Sequence, residues 1–192
     1  MRHLVLAAAL LFAATAPSLA QTPPPGPPPG PRPPAMEFID LPFPDGGVIP
    51  NQYTAAAEKQ PAGSFPLAWK NTPAGTQSFV LIFHDLDVAA GRGMTDNLHW
   101  LAFNIPGTAT SLPANLPTAT KLPDGTIQPM NRNRSGYAGP GAPAGKYHHY
   151  VVQLFALDTK LSLTETATRD EVAKASEGHV LGKAVLVGLF HR

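Results

Sequence analysis

The sequence predicts a mainly β domain with a little helix near its C-terminus, and three observations carry that reading. From Phe38 onward, Pro and Gly interrupt the chain nearly every ten residues, a spacing that suits strands and turns. Three stretches between these breaks are β-branched, aromatic and almost continuously apolar: Ser78–Phe83 (SFVLIF), Leu98–Ile105 (LHWLAFNI) and Tyr150–Leu157 (YVVQLFAL). Helix signals, by contrast, come late, after Thr168.

Each element has its own justification. SFVLIF lacks the polar alternation of a half-exposed strand, so it reads as a central strand covered on both faces. LHWLAFNI has the same character and stops at the Pro106-Gly107 turn signal; Asp124-Gly125 marks a second turn. YVVQLFAL is the third such strand. Thr168 and Glu171 stand at capping-box spacing, and Val172, Ala173 and Ala175 continue to Gly178, a C-terminal stop. That predicts one helix of two to three turns. Val180–Phe190 (VLGKAVLVGLF) is apolar with glycines at 182 and 188; periodicity does not separate helix from strand here, and we read it as a strand. There are no heptads and no repeats of 20–50 residues.

Ahead of the domain stand two segments of a different kind. Residues 1–20 (MRHLVLAAALLFAATAPSLA) have a basic start, an apolar run from Leu4 to Ala14, and small residues at Ser18 and Ala20. This is the layout of a signal peptide cleaved after Ala20, too short to span a bilayer. Residues 21–35 follow as a proline-rich linker; nine of the fourteen residues from Gln21 to Pro34 are Pro, which suits an extended polyproline tether. The folded domain is expected over 36–192. Export to the periplasm or the exterior is the implied destination, with no transmembrane segment.

Composition removes several function classes. The 192-residue chain has 14 Lys plus Arg, 13 Asp plus Glu and no Cys. Without Cys there is no disulfide framework, thiol nucleophile, Cys zinc site or N-terminal lipid-anchoring Cys. Cleavage would remove Arg2, leaving 13 basic against 13 acidic residues, too even a balance for bulk nucleic-acid affinity.

Polar groups concentrate at the ends of the predicted strands. Directly after SFVLIF comes His84-Asp85-Leu86-Asp87; in an extended chain, Asp85 and Asp87 would share a face. Such a pair can share a proton, bind a cation, or accept hydrogen bonds from imidazoles and amides, and a strand-end turn capped by aspartates is the plain alternative. His99 opens the second strand in an apolar setting, as a ligand contact or as a core histidine held by one carbonyl. A Gly/Pro loop from Gly136 to Gly145, containing Gly139 and Pro140, leads into Lys146-Tyr147-His148-His149-Tyr150. Strand alternation puts His148 and Tyr150 on one face and Tyr147 and His149 on the other. Imidazoles, a phenol and loop amides are donors that can hold a phosphate or carboxylate without a dense positive patch. A solvated hairpin loop is the other reading of the same stretch.

In this order, HDLD, NLHWLAFNIP, GYAGPGAPAGKYHHYVVQLFALD and ASEGHVLGKAVLVGLFHR, the sequence resembles the phosphatidylethanolamine-binding protein (PEBP) family, and most of all its bacterial, Raf-kinase-inhibitor-like branch. The resemblance runs over roughly Gly47–Arg192. It implies a PEBP-like sandwich of two antiparallel sheets with a few peripheral helices, and a small pocket that accepts phosphate-type head groups. Residue by residue, Asp85 and Asp87 match the family's acidic pair, His99 its first histidine, Gly139 and Pro140 its loop, and His148 and Tyr150 its His-x-Tyr. Leu86 departs from the proline between the aspartates, and Val88–Leu98 is longer than usual in that branch. Thr54-Ala55-Ala56-Ala57 replaces a Thr-Cys-Asp-Gly motif, and Gly141-Ala142-Pro143 a more proline-rich loop.

The function expected is therefore binding of a small anion or phospholipid head group such as phosphatidylethanolamine, with no catalytic residues, no cofactor and no resident metal. The alternative that the resemblance offers is a protein-interaction module inhibiting a protease or kinase-type partner. An enzyme has less support. The chain has no Gly-x-Ser-x-Gly elbow, Walker loop or His-Glu-x-x-His, and an Asp85, His99 and His148 set matches no metal-ligand spacing.

Overall fold

The computed structural model describes residues 34–131 and 134–192, so the expected signal peptide and the linker through Pro33 lie outside the described residues. In chain order the strands are β1 (Glu37–Ile39), β2 (Gly47–Val48), β3 (Leu67–Lys70), β4 (Ser78–Asp85), β5 (Asn97–Pro106), β6 (Ser111–Leu112), β7 (Met130–Asn131), β8 (Arg134–Ser135), β9 (His148–Leu157) and β10 (Val180–Phe190). Among the described residues one α-helix, α1 (Arg169–Ala175), precedes β10, and short 3-10 turns cover Asn51–Tyr53 and Ala90–Arg92.

Five strands form the main sheet in the order β2-β10-β9-β4-β5, and β1-β3-β6 form a second sheet; β7 and β8 make a small ribbon. Pairing is antiparallel except at one edge, where β2 runs parallel to β10. The apolar runs of β4 and β9 take interior places, whereas β5, equally apolar and expected to be central, stands at the edge of the sheet, where Trp100, Ala102 and Ile105 cover one face and Leu101 and Phe103 the other. All eight positions of β4 are buried, as its unbroken SFVLIF run requires.

Two cores flank β4. Phe79, Leu81 and Phe83 face inward, joining Trp100, Val152, Leu154 and Leu186 of the main sheet to Phe65, Leu67 and Trp69 from the second-sheet side. Val80 and Ile82 face outward and pack with Leu101, Phe103, Leu161 and Val172 of α1. Each fully buried side chain of this size contributes about 1.5–3 kcal/mol. The helix starts where its cap dictates: the Thr168 hydroxyl accepts from the Glu171 amide at 3.2 Å, and Glu171 Oε2 accepts from the Thr168 amide at 2.7 Å. The chain leaves α1 through Gly178 at φ +79°, a conformation that glycine adopts without strain.

Two bulges break the β4–β5 ladder. The register passes from Phe79↔Ile105 to Leu81↔Ala102, leaving an extra residue on β5 beside Asn104, which sits at φ +55°. Asn104 is held there by two bonds to Leu161, one donated by its Nδ2 to the carbonyl and one accepted from the amide. The register then passes from Phe83↔Trp100 straight to His84↔Leu98, so His99 is the unmatched residue. Strand alternation alone would place His99 opposite to Trp100. The bulge turns it to the inner face instead.

Candidate functional site

The site is built at one end of the main sheet, where β4 ends, β5 begins and β9 begins. Asp85 closes β4 and is paired with Tyr150 in the ladder, which puts both on the inner face. His148, two residues before Tyr150, shares that face. Its Nδ1 lies 2.8 Å from Asp85 Oδ2, and Asp85 Oδ1 accepts the Asp87 amide at 2.9 Å. The carboxylate orients the imidazole and leaves Nε2 to act elsewhere.

Tyr150 is fully buried, and its Oη makes no well-formed hydrogen bond among the described residues. It lies close to the Asp85 carboxylate and to the amides of Gly141 and Ala142. Burial first, and then Asp85, push the phenol well above its ordinary pKa. The hydroxyl therefore keeps its proton and serves as a donor.

His99 reaches this cluster through the bulge. Its ring stands 5.2 Å from Tyr150 and 5.7 Å from Phe83, edge to face in each case. Nδ1 lies 2.9 Å from the Ala138 carbonyl, which can only accept, so Nδ1 carries the proton. Nε2 lies 2.9 Å from Asn97 Nδ2. The Ala138 amide in turn donates to the His99 carbonyl at 2.9 Å, so β5 and the Gly/Pro loop are tied together twice.

The loop is also fastened on its other side. Tyr137 donates its hydroxyl to the Tyr53 carbonyl at 2.5 Å, and the Pro140 carbonyl accepts from the Ala55 amide at 2.8 Å. Gly139 is needed for this approach, since a Cβ there would come 2.8 Å from the Tyr53 carbonyl oxygen. Pro140 is buried and Gly139 partly so.

Asp87 takes a different place from the one its spacing suggests. The strand stops at Asp85 and the chain turns through Leu86 and Asp87, so the two carboxylates part company. Asp87 Oδ2 accepts from the His149 amide at 2.7 Å and lies 2.9 Å from His149 Nδ1, while Lys146 Nζ reaches Oδ1 at 3.1 Å. The His149 bonds, and then Lys146, hold this carboxyl well below the usual carboxylate range. His149 lies on the opposite face of β9 from His148, so Asp87 belongs to an exposed rim while Asp85 belongs to the buried cluster.

Of the residues singled out from the sequence, the structure thus gathers Asp85, His99, His148 and Tyr150, with Gly139 and Pro140 shaping the loop beside them. Sequence reading missed Asn97, Phe83, Tyr137 and the Ala138 carbonyl. Only Asn97 carried a local signal, its spacing two before His99. Among the described residues hollows lie elsewhere, one of about 660 Å3 between α1 and the Met94–Leu101 stretch and another of about 990 Å3 beside Gln52, Ser64 and Asn115. Neither is lined by the four gathered residues. Among the described residues, no three His, Cys, Asp or Glu side chains are grouped to hold a metal ion, and no helix is long and apolar enough to cross a membrane.

Comparison with known proteins agrees with this architecture. A family described as phosphatidylethanolamine-binding protein matches residues 40–191. A UPF0098 protein of Methanothermobacter thermautotrophicus is 44% identical over 151 residues, covering 78% of this chain and 95% of that protein. A second UPF0098 protein, from Aquifex aeolicus, is 35% identical over 160 residues, covering 82% of this chain and 89% of its own. The crystal structure of a PEBP homolog from Chlamydia trachomatis superposes with a TM-score of 0.71 at 28% identity, covering 82% of this chain and 98% of that one. Escherichia coli YbcL, described as a member of the mammalian PEBP family, shares the fold with a TM-score of 0.69 at 24% identity over 82% of this chain and 98% of its own. With the main sheet, the second sheet and the strand-end cluster all in place, this chain belongs to the phosphatidylethanolamine-binding protein family.

Proposed function

We propose that the protein is an exported, non-catalytic binder of a small anion or phospholipid head group, phosphatidylethanolamine-like in chemistry, held at the ends of β4, β5 and β9. The observation that carries this reading is the Tyr150 hydroxyl: a buried donor with no well-formed bond, beside His148, the Asp85 carboxylate and the Gly141 and Ala142 amides. A buried hydroxyl without a well-formed bond is costly, and an anion's oxygen would give it a better-placed acceptor. His148 contributes an Nε2–H donor when both ring nitrogens carry protons, its Nδ1–H being given to Asp85 Oδ2 behind it. The charge of Asp85 is engaged by His148 and the Asp87 amide, which limits its repulsion of an incoming anion. A phenol that keeps its proton acts here as a donor and not as a base, the role that holding an anion requires. Delivery to the periplasm or the exterior follows from the N-terminal segment alone.

The test is a thermal-shift titration of the mature protein with phosphate, O-phosphorylethanolamine and acetate. His148→Asn is the control, because the Asn amide can stand where Nδ1 stands and keep the Asp85 bond while the Nε2 edge is lost. Saturable stabilisation by the phosphorylated compounds, absent in the control, is the expected result. No shift with any compound in the wild type would overturn the proposal.

A further inference from the structure

The two strand ends that carry the site are clamped together from the opposite face of the sheet. His84 precedes Asp85 on β4 and points outward, where it is buried. Asp96 immediately precedes Asn97 at the start of β5. Asp96 Oδ2 lies 2.5 Å from His84 Nδ1, and Asp96 Oδ1 accepts from Arg169 Nη1 at the start of α1. Arg169 Nη2 stands 3.5 Å from the same His84 nitrogen, so the guanidinium lies across the pair. Burial pushes the Asp96 carboxyl up, but the Arg169 and His84 bonds outweigh it and hold it below its ordinary value.

The register makes this arrangement more than a surface ion pair. Asp85 and Asn97 are partners across the β4–β5 ladder and share the inner face. Asp85 holds His148 and Asn97 meets His99. Each of the two chain ends thus places one residue in the outer clamp and its neighbour in the inner site, and the His84–Asp96 contact joins the two ends of the Leu86–Thr95 segment by their side chains on the outer face. Arg169 adds the third point, joining the clamp to a helix whose Val172 is fully buried in the outer core.

We propose that Asp96 and Arg169 are positioning residues for the anion site, acting through the His84 clamp to fix Asn97 and hence the hydrogen bond it gives to His99 Nε2. The inference rests on the anion-binding reading for its purpose but not for its geometry. With the clamp intact, Asn97 Nδ2 faces Nε2 and the proton stays on Nδ1 toward Ala138. With Arg169 removed, Asp96 loses its cation, the start of β5 loosens, and the Asn97–His99 contact is no longer enforced.

The experiment is nitrogen-resolved NMR of the histidine rings in the ligand-free mature protein, followed by titration with inorganic phosphate. Arg169→Ala should shift the His99 Nε2 signal as the Asn97 donor withdraws, the proton staying on Nδ1, and weaken phosphate binding about tenfold. Arg169→Lys, which keeps a cation within reach of Asp96, should restore most of both. Lys174→Ala removes an exposed cation from the same helix without touching the clamp and should leave the His99 pattern in place. An unchanged His99 pattern in folded Arg169→Ala would overturn the proposal, as would an equal change in Lys174→Ala. If phosphate fails to bind even the wild type, the anion reading falls, while the ring spectra still decide the clamp.

Discussion

Asp85 Oδ2 and His148 Nδ1 lie 2.8 Å apart across the β4–β9 ladder, and Asp85 is only 2% exposed there. A carboxylate in such a place depends on its partners. Truncating one partner of a buried pair costs about 3–5 kcal/mol, because the other is left behind. His148→Ala should therefore destabilise the domain by about 3 kcal/mol in urea unfolding, whereas His148→Asn, with a donor in the Nδ1 position, should cost no more than about 1 kcal/mol. Equal losses for the two variants would mean that the pair does not carry this energy.

Tyr150→Phe separates function from stability in the opposite direction. The hydroxyl is buried without a well-formed bond, so its removal relieves a desolvation cost. The variant should be as stable as the wild type or more so, by up to about 1 kcal/mol, yet bind phosphate about tenfold more weakly through the loss of one donor. A clear loss of stability would show that the hydroxyl already has a partner in solution.

Acid should weaken the fold through Asp87 and Asp96. Both have folded-state pKa values below the ordinary 3.8. A carboxyl depressed in the folded state supplies stability that is complete above the unfolded value and is lost as pH falls through the folded one. The melting temperature should thus hold down to about pH 4 and drop steeply below it. Asp96→Asn should flatten part of that limb. An unaltered acid profile in the variant would contradict the role given to the Arg169 and His84 bonds.

Gly139→Ala probes the loop. The added Cβ would meet the Tyr53 carbonyl oxygen at 2.8 Å and Thr54 backbone atoms at 3.1 Å, none of which is a flexible side-chain end. Overpacking of this kind costs about 1–3 kcal/mol. Because Ala138 next door holds His99, phosphate affinity should fall along with stability. Binding that survives while stability drops would detach the loop from the site.

How much of this was legible beforehand depended on the range of the interaction. SFVLIF, LHWLAFNI and YVVQLFAL became β4, β5 and β9 because apolar content is a local property, and the ambiguous Val180–Phe190 run became β10. The Thr168–Glu171 box was found because both partners lie within four residues. His148 and Tyr150 share a face as strand alternation required. His99 was another matter: which residue of a strand is the extra one depends on the partner strand, and nothing in NLHW announces it. Asp85 and Asp87 share a face only in an extended chain, and β4 ends at Asp85, a boundary that HDLD does not mark. The clamp was invisible for the same reason, since Arg169 stands 73 residues from Asp96.

The central position of β4 also governs the order in which the domain can assemble. Its partner β5 begins twelve residues after β4 ends, so that hairpin can close early in synthesis. Its other partner, β9, starts at residue 148, more than sixty residues after β4 ends. Until that stretch emerges, SFVLIF is an uncharged, β-prone segment with one edge open, the type of sequence that pairs with copies of itself. Contacts this distant in sequence slow folding as well. A nascent chain halted between residues 110 and 148 should therefore be the species most in need of a chaperone, and the arrival of β9 the event that ends the hazard.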